Sequence, residues 1–165
     1  MTGHSLSTSG AYDAALRTPV GWVGIRVARG AIVAVDMVGR RPAMSARAAS
    51  GLAAQAAEAL QRYFATAELP VDLPLVPAGT PFQRRVWQRL QRIPRGRTTT
   101  YGELARELGT SARAIGGACR ANPLPLLIPC HRVVAQGGLG GYSGARGGAW
   151  ADTKRWLLRH EGVEP

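Results

Sequence analysis

Residues 100–120 read TYGELARELGTSARAIGGACR, and the local signals in this stretch decide the fold of the half of the chain around it. Thr100 is a good N-cap, and Glu103 stands three residues later at the capping-box position, so a helix is predicted to begin directly after Thr100. Gly109 suits the left-handed conformation that ends a helix, and Ser111 is the N-cap of a second helix that runs to the end of the stretch. Two short helices joined by a tight glycine turn predict a helix-turn-helix.

Helices are also predicted on both sides of this pair. On the N-terminal side, Thr80 is an N-cap and Pro81 takes the first helical position, ahead of an apolar stripe at helical spacing. On the C-terminal side, Asp152 or Thr153 caps a last helix that runs through His160.

Two loop segments lie between the helix pair and the last helix. Residues 122–129 contain three prolines, which exclude a helix and predict a rigid, buried, extended strand that leads directly into Cys130. Residues 137–144 are rich in glycine, which allows the backbone to come close to a ligand.

The first half of the chain has a different pattern. Short apolar runs separated by turn residues predict a small antiparallel meander over Tyr12–Arg17, Trp22–Ala28 and Ala31–Val38. An alanine-rich stretch with apolar residues at helical spacing predicts a helix over Ala46–Ala65. Three prolines within Leu69–Pro77 cannot continue that helix, and they predict an extended linker.

These patterns together predict an α+β fold with two lobes. A small N-terminal lobe holds the short antiparallel sheet and one helix, and a mainly helical C-terminal lobe holds the helix-turn-helix. The predicted divisions are a disordered tail at residues 1–10, the N-terminal lobe at 11–68, the Pro-rich linker at 69–79 and the C-terminal domain at 80–165.

The charge is concentrated in the second half of the chain. Residues 1–76 carry seven Arg against five acids, a net charge of +2, whereas residues 77–165 carry thirteen Arg and one Lys against five acids, a net charge of +9. A basic excess on one lobe is typical of a polyanion-binding surface. A codon preference for Arg explains the near absence of Lys but not the shortage of acids, and no long basic amphipathic helix favours a membrane surface. Nucleic acid is therefore the favoured partner, and no membrane is expected.

The cysteines and the N-terminus indicate an intracellular protein. Residues 1–10 lack the basic start and apolar stretch of a signal peptide, and no run of 18 apolar residues predicts a membrane span. Two cysteines do not make a disulfide framework, so both are expected to be reduced thiols. We expect a cytoplasmic location, associated with the nucleoid when DNA is bound. No cofactor and no metal are expected, since His4 stands alone in the N-terminal tail.

The pattern around Cys130 suggests thiol chemistry. A cysteine is a useful nucleophile as thiolate, and a free thiol with a pKa near 8.5 is only slightly ionised at neutral pH. His131 follows as a neighbouring base, and Arg132 adds positive charge. The pair alone is not specific, because most single cysteines are small core residues. A Cys/His hydrolase also remains open, although it needs neither the basic lobe nor the helix pair.

A wider set of motifs resembles the O6-alkylguanine-DNA alkyltransferase (methylated-DNA–protein-cysteine S-methyltransferase) family. The motifs occur in the family's order across residues 80–162. They are Phe82–Trp87, Ile93–Gly96, Tyr101–Ala105, Arg113–Ala118, Asn122–Pro123, Pro129–Val133, Tyr142–Gly144 and Trp156–Gly162. The N-terminal lobe matches in style only, and the resemblance implies that it is ribonuclease H-like.

The resemblance implies a single-turnover DNA repair enzyme. Cys130 is then the acceptor that takes the alkyl group from guanine O6 irreversibly and restores guanine. His131 matches the base that takes the thiol proton through a water, and Glu161 matches the carboxylate that orients it. Tyr101 matches the phenol that hydrogen-bonds a ring nitrogen of the flipped base, and Asn122 matches a residue that supports the active-site turn.

The resemblance also implies how DNA is bound. The target atom lies inside the duplex, so the nucleotide must be flipped out, and Arg113 matches the side chain that fills its place. The second helix of the pair then enters the minor groove, and small residues on it allow close approach. The Ser143 backbone holds O6, Tyr142 forms a wall, and the Val133 backbone accepts from the exocyclic amine. The expected contacts are Ala112, Arg113, Gly116, Gly117, Ala118, Arg120, Val133, Tyr142, Ser143 and Gly144. The expected state is a monomer bound to double-stranded DNA that contains O6-alkylguanine.

Some features depart from the family, and alternatives remain. The turn before Arg113 is shorter than in some relatives, and residues 145–151 lengthen the path to the last helix. An alkyltransferase-like protein, which binds damaged DNA without transfer, typically carries Trp where this chain has Cys130. A transcription factor that uses the helix pair is a further alternative, but the helix with Gly116 and Gly117 has few base-reading side chains. Cys119 has no neighbouring base and is expected to be structural.

Overall fold

The computed structural model describes residues 11–45, 51–69, 72–140 and 148–165, with the backbone alone at 148 and 149. The predicted tail and the first five residues of the predicted helix Ala46–Ala65 lie outside these ranges. The chain divides into two compact units between Ala78 and Gly79. Within the described ranges, no helix has the length and the apolar character needed to cross a membrane.

The first unit is an antiparallel sheet with one helix packed on it. Its strands are β1 (Ala14–Thr18), β2 (Gly21–Ala28) and β3 (Ala31–Val38), hydrogen-bonded in the order β1-β2-β3. Helix α1 (Gly51–Thr66) contacts all three strands. The predicted meander is confirmed. Buried apolar residues from all three strands and from one face of the helix make the core. They are Leu16, Val23, Ile25, Ile32, Val35, Ala56, Leu60 and Tyr63.

Part of the predicted linker is fixed to the sheet of this unit. The Ile32 N–H donates to the Pro74 carbonyl at 2.8 Å, and the Val76 N–H donates to the Ile32 carbonyl at 3.1 Å. Proline has no N–H and can only accept, so Pro74 suits a position where the strand edge supplies the donor. The extended conformation predicted for this segment is therefore used for pairing at Leu75.

The second unit contains the predicted helix-turn-helix. Its helices α2 (Pro81–Leu90), α3 (Tyr101–Leu108) and α4 (Ala112–Arg120) begin after Thr80, Thr100 and Ser111, and each of these side chains accepts from the backbone N–H three residues later. Gly109 ends α3 at φ 68°, a left-handed conformation that glycine adopts readily. The α+β architecture with a mainly helical second lobe is confirmed. Local capping signals fixed the ends of these helices, so the sequence was sufficient to predict them.

Buried contacts hold the three helices together. The Trp87 indole N–H donates to the Ala118 carbonyl at 2.8 Å, which joins α2 to α4 inside the core. Arg85 donates to the Leu108 carbonyl at 2.6 Å and so satisfies the C-terminal end of α3. A Cβ on Gly79 would lie 2.4 Å from the Trp87 ring, so the entry to α2 requires glycine there.

A short parallel strand pair connects the helix-turn-helix to the cysteine. Strand β4 (Thr99–Thr100) pairs with β5 (Val133–Val134), and β5 follows a single 3-10 turn at Cys130–Arg132. Because Tyr101 directly follows β4, the pairing brings the start of α3 close to the turn that carries Cys130.

The segment before Cys130 is a closed turn, and the predicted extended strand is wrong. Leu126 has φ 77°, and the Ile128 N–H donates to the Leu124 carbonyl at 2.8 Å. The Asn122 side chain spans the turn, accepting from the Leu124 N–H and donating to the Ile128 carbonyl, both at 2.9 Å. Prolines exclude a helix but are compatible with a turn, so their presence did not distinguish the two. The predicted burial is correct, since Leu124 and Ile128 are inaccessible to solvent.

The last helix begins earlier than predicted. Helix α5 (Gly148–His160) includes the residues before Asp152, where the sequence predicted a loop and a cap. Alanine at 149 and 151 favours helix, and Asp152 and Thr153 are tolerated inside its first turns. Part of the lengthened segment 145–151 is thus a turn of helix. Gly162 follows with φ 89°, at the predicted end.

Candidate active site

Cys130, His131 and Glu161 lie together in the core of the second unit. Their exposed fractions are 3%, 1% and 3%. His131 Nε2 lies 2.8 Å from Glu161 Oε2. Because a carboxylate accepts, Nε2 carries the proton, and Nδ1 keeps the lone pair with which imidazole takes up a proton. The predicted base and its orienting carboxylate are therefore in hydrogen-bond contact.

The electrostatics keep His131 in its neutral form. Burial lowers the pKa of His131, and the positive charges of Arg132 and Lys154 act in the same direction, while the hydrogen bond and charge of Glu161 oppose them. A neutral imidazole at physiological pH can accept a proton from a neighbouring thiol. The site thus holds a thiol, a neutral imidazole and a carboxylate, the three groups that activate cysteine nucleophiles in other thiol enzymes.

Arg132 has a larger part in this site than the sequence suggested. Its Nε donates to Glu161 Oε1 at 2.8 Å, its Nη2 to Oε2 at 3.0 Å and its Nη1 to the Ile93 carbonyl at 2.6 Å. The sequence indicated only a positive charge beside the thiol. The partners come from a loop and from beyond the last helix, so no local pattern could have shown them.

Backbone and side-chain contacts fix the cysteine in place. Cys130 is the first residue of the 3-10 turn, and its N–H donates to the Ile128 carbonyl at 2.8 Å. Ile128 belongs to the turn closed by Asn122, so Asn122 helps to position Cys130 through the backbone. This agrees with the predicted supporting role of Asn122.

Tyr101 shares a buried site with a lysine that sequence reasoning missed. Lys154, the single lysine of the sequence, is 0% exposed, and its Nζ donates to the Tyr101 hydroxyl at 3.3 Å. The Gly140 backbone, at φ 131°, lies against both groups. A Cβ there would lie 2.8 Å from Lys154 Nζ and 3.2 Å from the Tyr101 hydroxyl. The sequence did carry a signal, because every other Lys or Arg position of the chain is an arginine. A single lysine indicates a position that needs a compact ammonium and cannot hold a planar guanidinium.

Burial sets the protonation states of this pair. It raises the pKa of Tyr101 well above its usual value, with Cys119 and Cys130 acting in the same direction, so the phenol keeps its proton at neutral pH. Burial lowers the pKa of Lys154 to about 8, while the two cysteines oppose the shift. At pH 7 the lysine is therefore mostly an ammonium that donates to the phenol oxygen. A phenol polarised in this way is a stronger hydrogen-bond donor.

The second cysteine lies in the same region of the core. Cys119, on α4, is buried, and burial, followed by the influence of Cys130, raises its pKa. A thiol held in its neutral form is a poor nucleophile, which agrees with the predicted structural role. Its closeness to Cys130 was not apparent from the sequence.

The predicted contact residues on α4 divide between two faces. Ala112, Arg113, Gly117 and Arg120 are exposed, and a Cβ on Gly117 would meet no atom within 4 Å. Gly116 and Ala118 are buried, and the Ala118 carbonyl is the acceptor for Trp87. These two residues therefore lie on the face of α4 that packs inside the lobe, and not on its exposed face.

The remaining predicted residues differ in how far they are described. Val133 is buried in β5, next to the 3-10 turn. Tyr142, Ser143 and Gly144 lie outside the described residues. Across the described ranges, no group of three or more His, Cys, Asp and Glu side chains is arranged to hold a metal ion.

The fold and site define a helix-turn-helix lobe built around a buried thiol, imidazole and carboxylate. Residues 81–163 match the family model described as 6-O-methylguanine DNA methyltransferase, DNA binding domain. The chain belongs to the 6-O-methylguanine DNA methyltransferase family, which confirms the resemblance seen in the sequence.

Individual relatives agree with this assignment. Over 107 residues the chain is 46% identical to the methylated-DNA--protein-cysteine methyltransferase of Shigella flexneri, an alignment that covers 62% of this chain and 60% of the relative. Over 120 residues it is 48% identical to the DNA base-flipping protein of Thermus thermophilus, covering 70% and 78%. The fold is similar to that of Mycobacterium tuberculosis OGT in a crystal structure with DNA, with a TM-score of 0.75, 31% identity and coverage of 92% and 94%. The chain thus spans about three-fifths of the Shigella relative.

Proposed function

We propose that this protein repairs DNA by transferring the alkyl group of O6-alkylguanine, methyl above all, irreversibly to its own Cys130. The observation that carries the proposal is the buried cysteine beside the hydrogen-bonded His131–Glu161 pair, in a chain of this family. The thiolate sulfur forms a bond to the alkyl carbon, the bond from that carbon to O6 breaks, and its electron pair stays with guanine. A thioether has no easy leaving route, so each molecule acts once.

The neutral His131 supplies the base for this step. It takes the thiol proton through a water, and Glu161 fixes the imidazole with Nε2 protonated. The resulting imidazolium is stabilised by the carboxylate it faces. Val133, as the resemblance implies, contributes its backbone to the recognition of the base, together with Tyr142, Ser143 and Gly144.

Tyr101 and Lys154 act on the leaving group. Charge develops on guanine as the bond to O6 breaks, and a hydrogen bond from Tyr101 to a ring nitrogen disperses it. Lys154 donates to the phenol oxygen, which makes the phenol the better donor. Both residues therefore lower the barrier by making normal guanine easier to expel.

Replacing Lys154 with methionine tests this arrangement. We expect the rate of transfer at pH 7 to fall about tenfold to a hundredfold, the effect of losing one hydrogen bond from a charged donor. The wild-type ammonium is present below about pH 8 and is lost as the pH rises through that value. The ratio of wild-type to variant rates therefore falls between pH 7 and pH 9 in single-turnover experiments. Arg155→Met, at a partly exposed position on the same helix, is the matched control; a ratio that stays constant with pH contradicts the role.

DNA binding follows from the same geometry. Because Cys130 is buried, a guanine inside a duplex cannot reach it until the nucleotide has left the stack. We propose that α4 enters the minor groove, with Arg113 in the vacated place and Ala112, Gly117 and Arg120 along the groove. Gly116 and Ala118, which are buried, allow this helix to pack closely beneath that surface. In this proposal the domain at 80–165 binds DNA as a monomer, in the cytoplasm and on the nucleoid. The lobe at 11–68 is ribonuclease H-like.

Replacing Arg113 with alanine separates flipping from chemistry. We expect transfer from duplex DNA to fall on the order of tenfold or more, because unstacking a base costs a few kcal/mol and Arg113 offsets part of this. Transfer from a single-stranded oligonucleotide changes little, since no stack must be opened. Arg159→Ala removes an exposed arginine from α5 and controls for the loss of charge. Equal losses on single-stranded and duplex DNA would contradict this role.

The mass of the intact protein tests the proposed function directly. After incubation with a duplex that contains O6-methylguanine, the protein gains one methylene, and peptide mapping finds it on Cys130. The main alternative is an alkyltransferase-like protein that binds damaged DNA without transfer, although such proteins typically carry Trp where this chain has Cys130. Folded protein that binds the duplex with an unchanged mass would establish that alternative.

A further inference from the structure

We propose that Arg132 is a positioning residue of the transfer reaction, which holds the Glu161 carboxylate with a bidentate contact and thereby keeps His131 neutral and ready to accept the thiol proton. This inference rests on the proposed function for its effect on rate. Its effect on the protonation of His131 concerns the protein without DNA and can be measured there.

The geometry makes Arg132 the link between three segments. Its guanidinium uses Nε and Nη2 on the two oxygens of Glu161 and Nη1 on the Ile93 carbonyl. Ile93 lies in the loop after α2, and Glu161 directly follows α5. The guanidinium is planar and its donors form a rigid fork. The contact with Ile93 therefore fixes the guanidinium, and its two contacts with Glu161 fix one orientation of the carboxylate.

Glu161 Oε2 is shared between two donors. His131 Nε2 lies 2.8 Å from it and Arg132 Nη2 lies 3.0 Å from it. The two donors are adjacent in sequence, so the 3-10 turn presents both to one carboxylate. The carboxylate is buried, and the Arg132 side chain is only 13% exposed, so water screens these charges weakly.

The contact of both His131 and Arg132 with Glu161 decides which of the two compensates the negative charge of the carboxylate. With Arg132 in place, the negative charge of Glu161 is already compensated, and protonation of His131 would bring a second positive charge to the pair. Without Arg132, protonation of His131 becomes the way to compensate a buried anion. Lys154 is the other cation that acts on His131, and it also disfavours the imidazolium. Removing Arg132 should therefore raise the pKa of His131.

The experiment compares wild type with Arg132→Gln and Arg132→Lys. Imidazole nitrogen shifts of His131 are followed by NMR against pH without DNA, with His131→Gln identifying the signal among the three histidines of the sequence. Single-turnover transfer rates are measured over the same pH range. Arg159→Gln, which breaks an exposed ion pair with Glu164, is the matched control. Thermal unfolding reports whether each variant is folded.

The expected result is a His131 titration displaced to higher pH in Arg132→Gln, with a smaller displacement in Arg132→Lys. On the acid limb the neutral fraction changes about tenfold per unit of pKa. We therefore expect the ratio of the rate at pH 8.5 to that at pH 6.5 to increase about tenfold or more in Arg132→Gln. Arg159→Gln leaves both readouts unchanged.

Two results would overturn the proposal. One is an unchanged His131 titration in a folded Arg132 variant, and the other is a rate lowered by the same factor at every pH, which is the sign of a structural role alone. If Arg132→Gln does not fold, Arg132→Lys decides, because it keeps the charge but cannot make all three contacts. If wild type transfers no alkyl group, the proposed function fails, and the titration without DNA still decides whether Arg132 keeps His131 neutral.

Discussion

Replacing Cys130 with alanine abolishes alkyl transfer and leaves damaged DNA bound. The expected loss is complete, because the sulfur of Cys130 is the atom that forms the new bond and burial holds the second thiol, Cys119, in its neutral form. The side chain is small and buried, so its removal leaves the exposed face of α4 unchanged. Mass measurement after incubation with an O6-methylguanine duplex, together with a binding titration on the same duplex, separates the two effects.

Cys119→Ala is the control that makes this prediction specific. Both cysteines are 3% exposed, and both lie in the core of the second unit. Because burial raises the pKa of Cys119, its thiol stays protonated, and we expect the variant to transfer at nearly the wild-type rate. Methyl transfer to Cys130→Ala, or its loss in Cys119→Ala alone, would contradict the assignment of the acceptor.

The sequence predicted best those features that nearby residues determine. Thr100, Gly109 and Ser111 place the ends of α3 and α4 because each acts on backbone groups within four residues of itself. The start of α5 was missed because Asp152 is a good cap whether or not a helix begins there. The turn before Cys130 was missed for a related reason, since it depends on one side chain, Asn122, reaching across six residues.

The candidate site was predicted in part for the same physical reason. Cys130 and His131 are adjacent, and the family motif supplied Glu161 from thirty residues away. Lys154 was assigned no role, and Arg132 only that of a positive charge beside the thiol, because their importance comes from burial and from partners that lie far along the chain. The sequence also could not show which of two neighbouring residues is exposed to solvent. Gly116 and Gly117 are neighbours on one helix, yet the first is buried and the second is exposed.

Replacing Glu161 with glutamine should have the largest effect on stability and also a large effect on transfer. The carboxylate is buried and accepts from His131 Nε2 and from two nitrogens of Arg132. A glutamine keeps the size but loses the charge, and its amide NH2 then faces donors. Breaking a buried ion pair in this way costs about 3–5 kcal/mol because the remaining charge has no partner. For a chain of this size we expect the melting temperature to fall by on the order of 10 °C.

Transfer by Glu161→Gln should fall further than stability alone explains. The imidazole loses the acceptor that fixes its Nε2 proton, so the tautomer with the lone pair at Nδ1 is no longer selected. Rates measured well below the melting temperature, where the variant is folded, isolate this effect. Glu164→Gln is the matched control, since its ion pair with Arg159 is exposed and contributes at most about 1 kcal/mol. A folded Glu161→Gln that transfers at the wild-type rate would show that His131 needs no orienting carboxylate, and the base would then have to be fixed by the 3-10 turn alone.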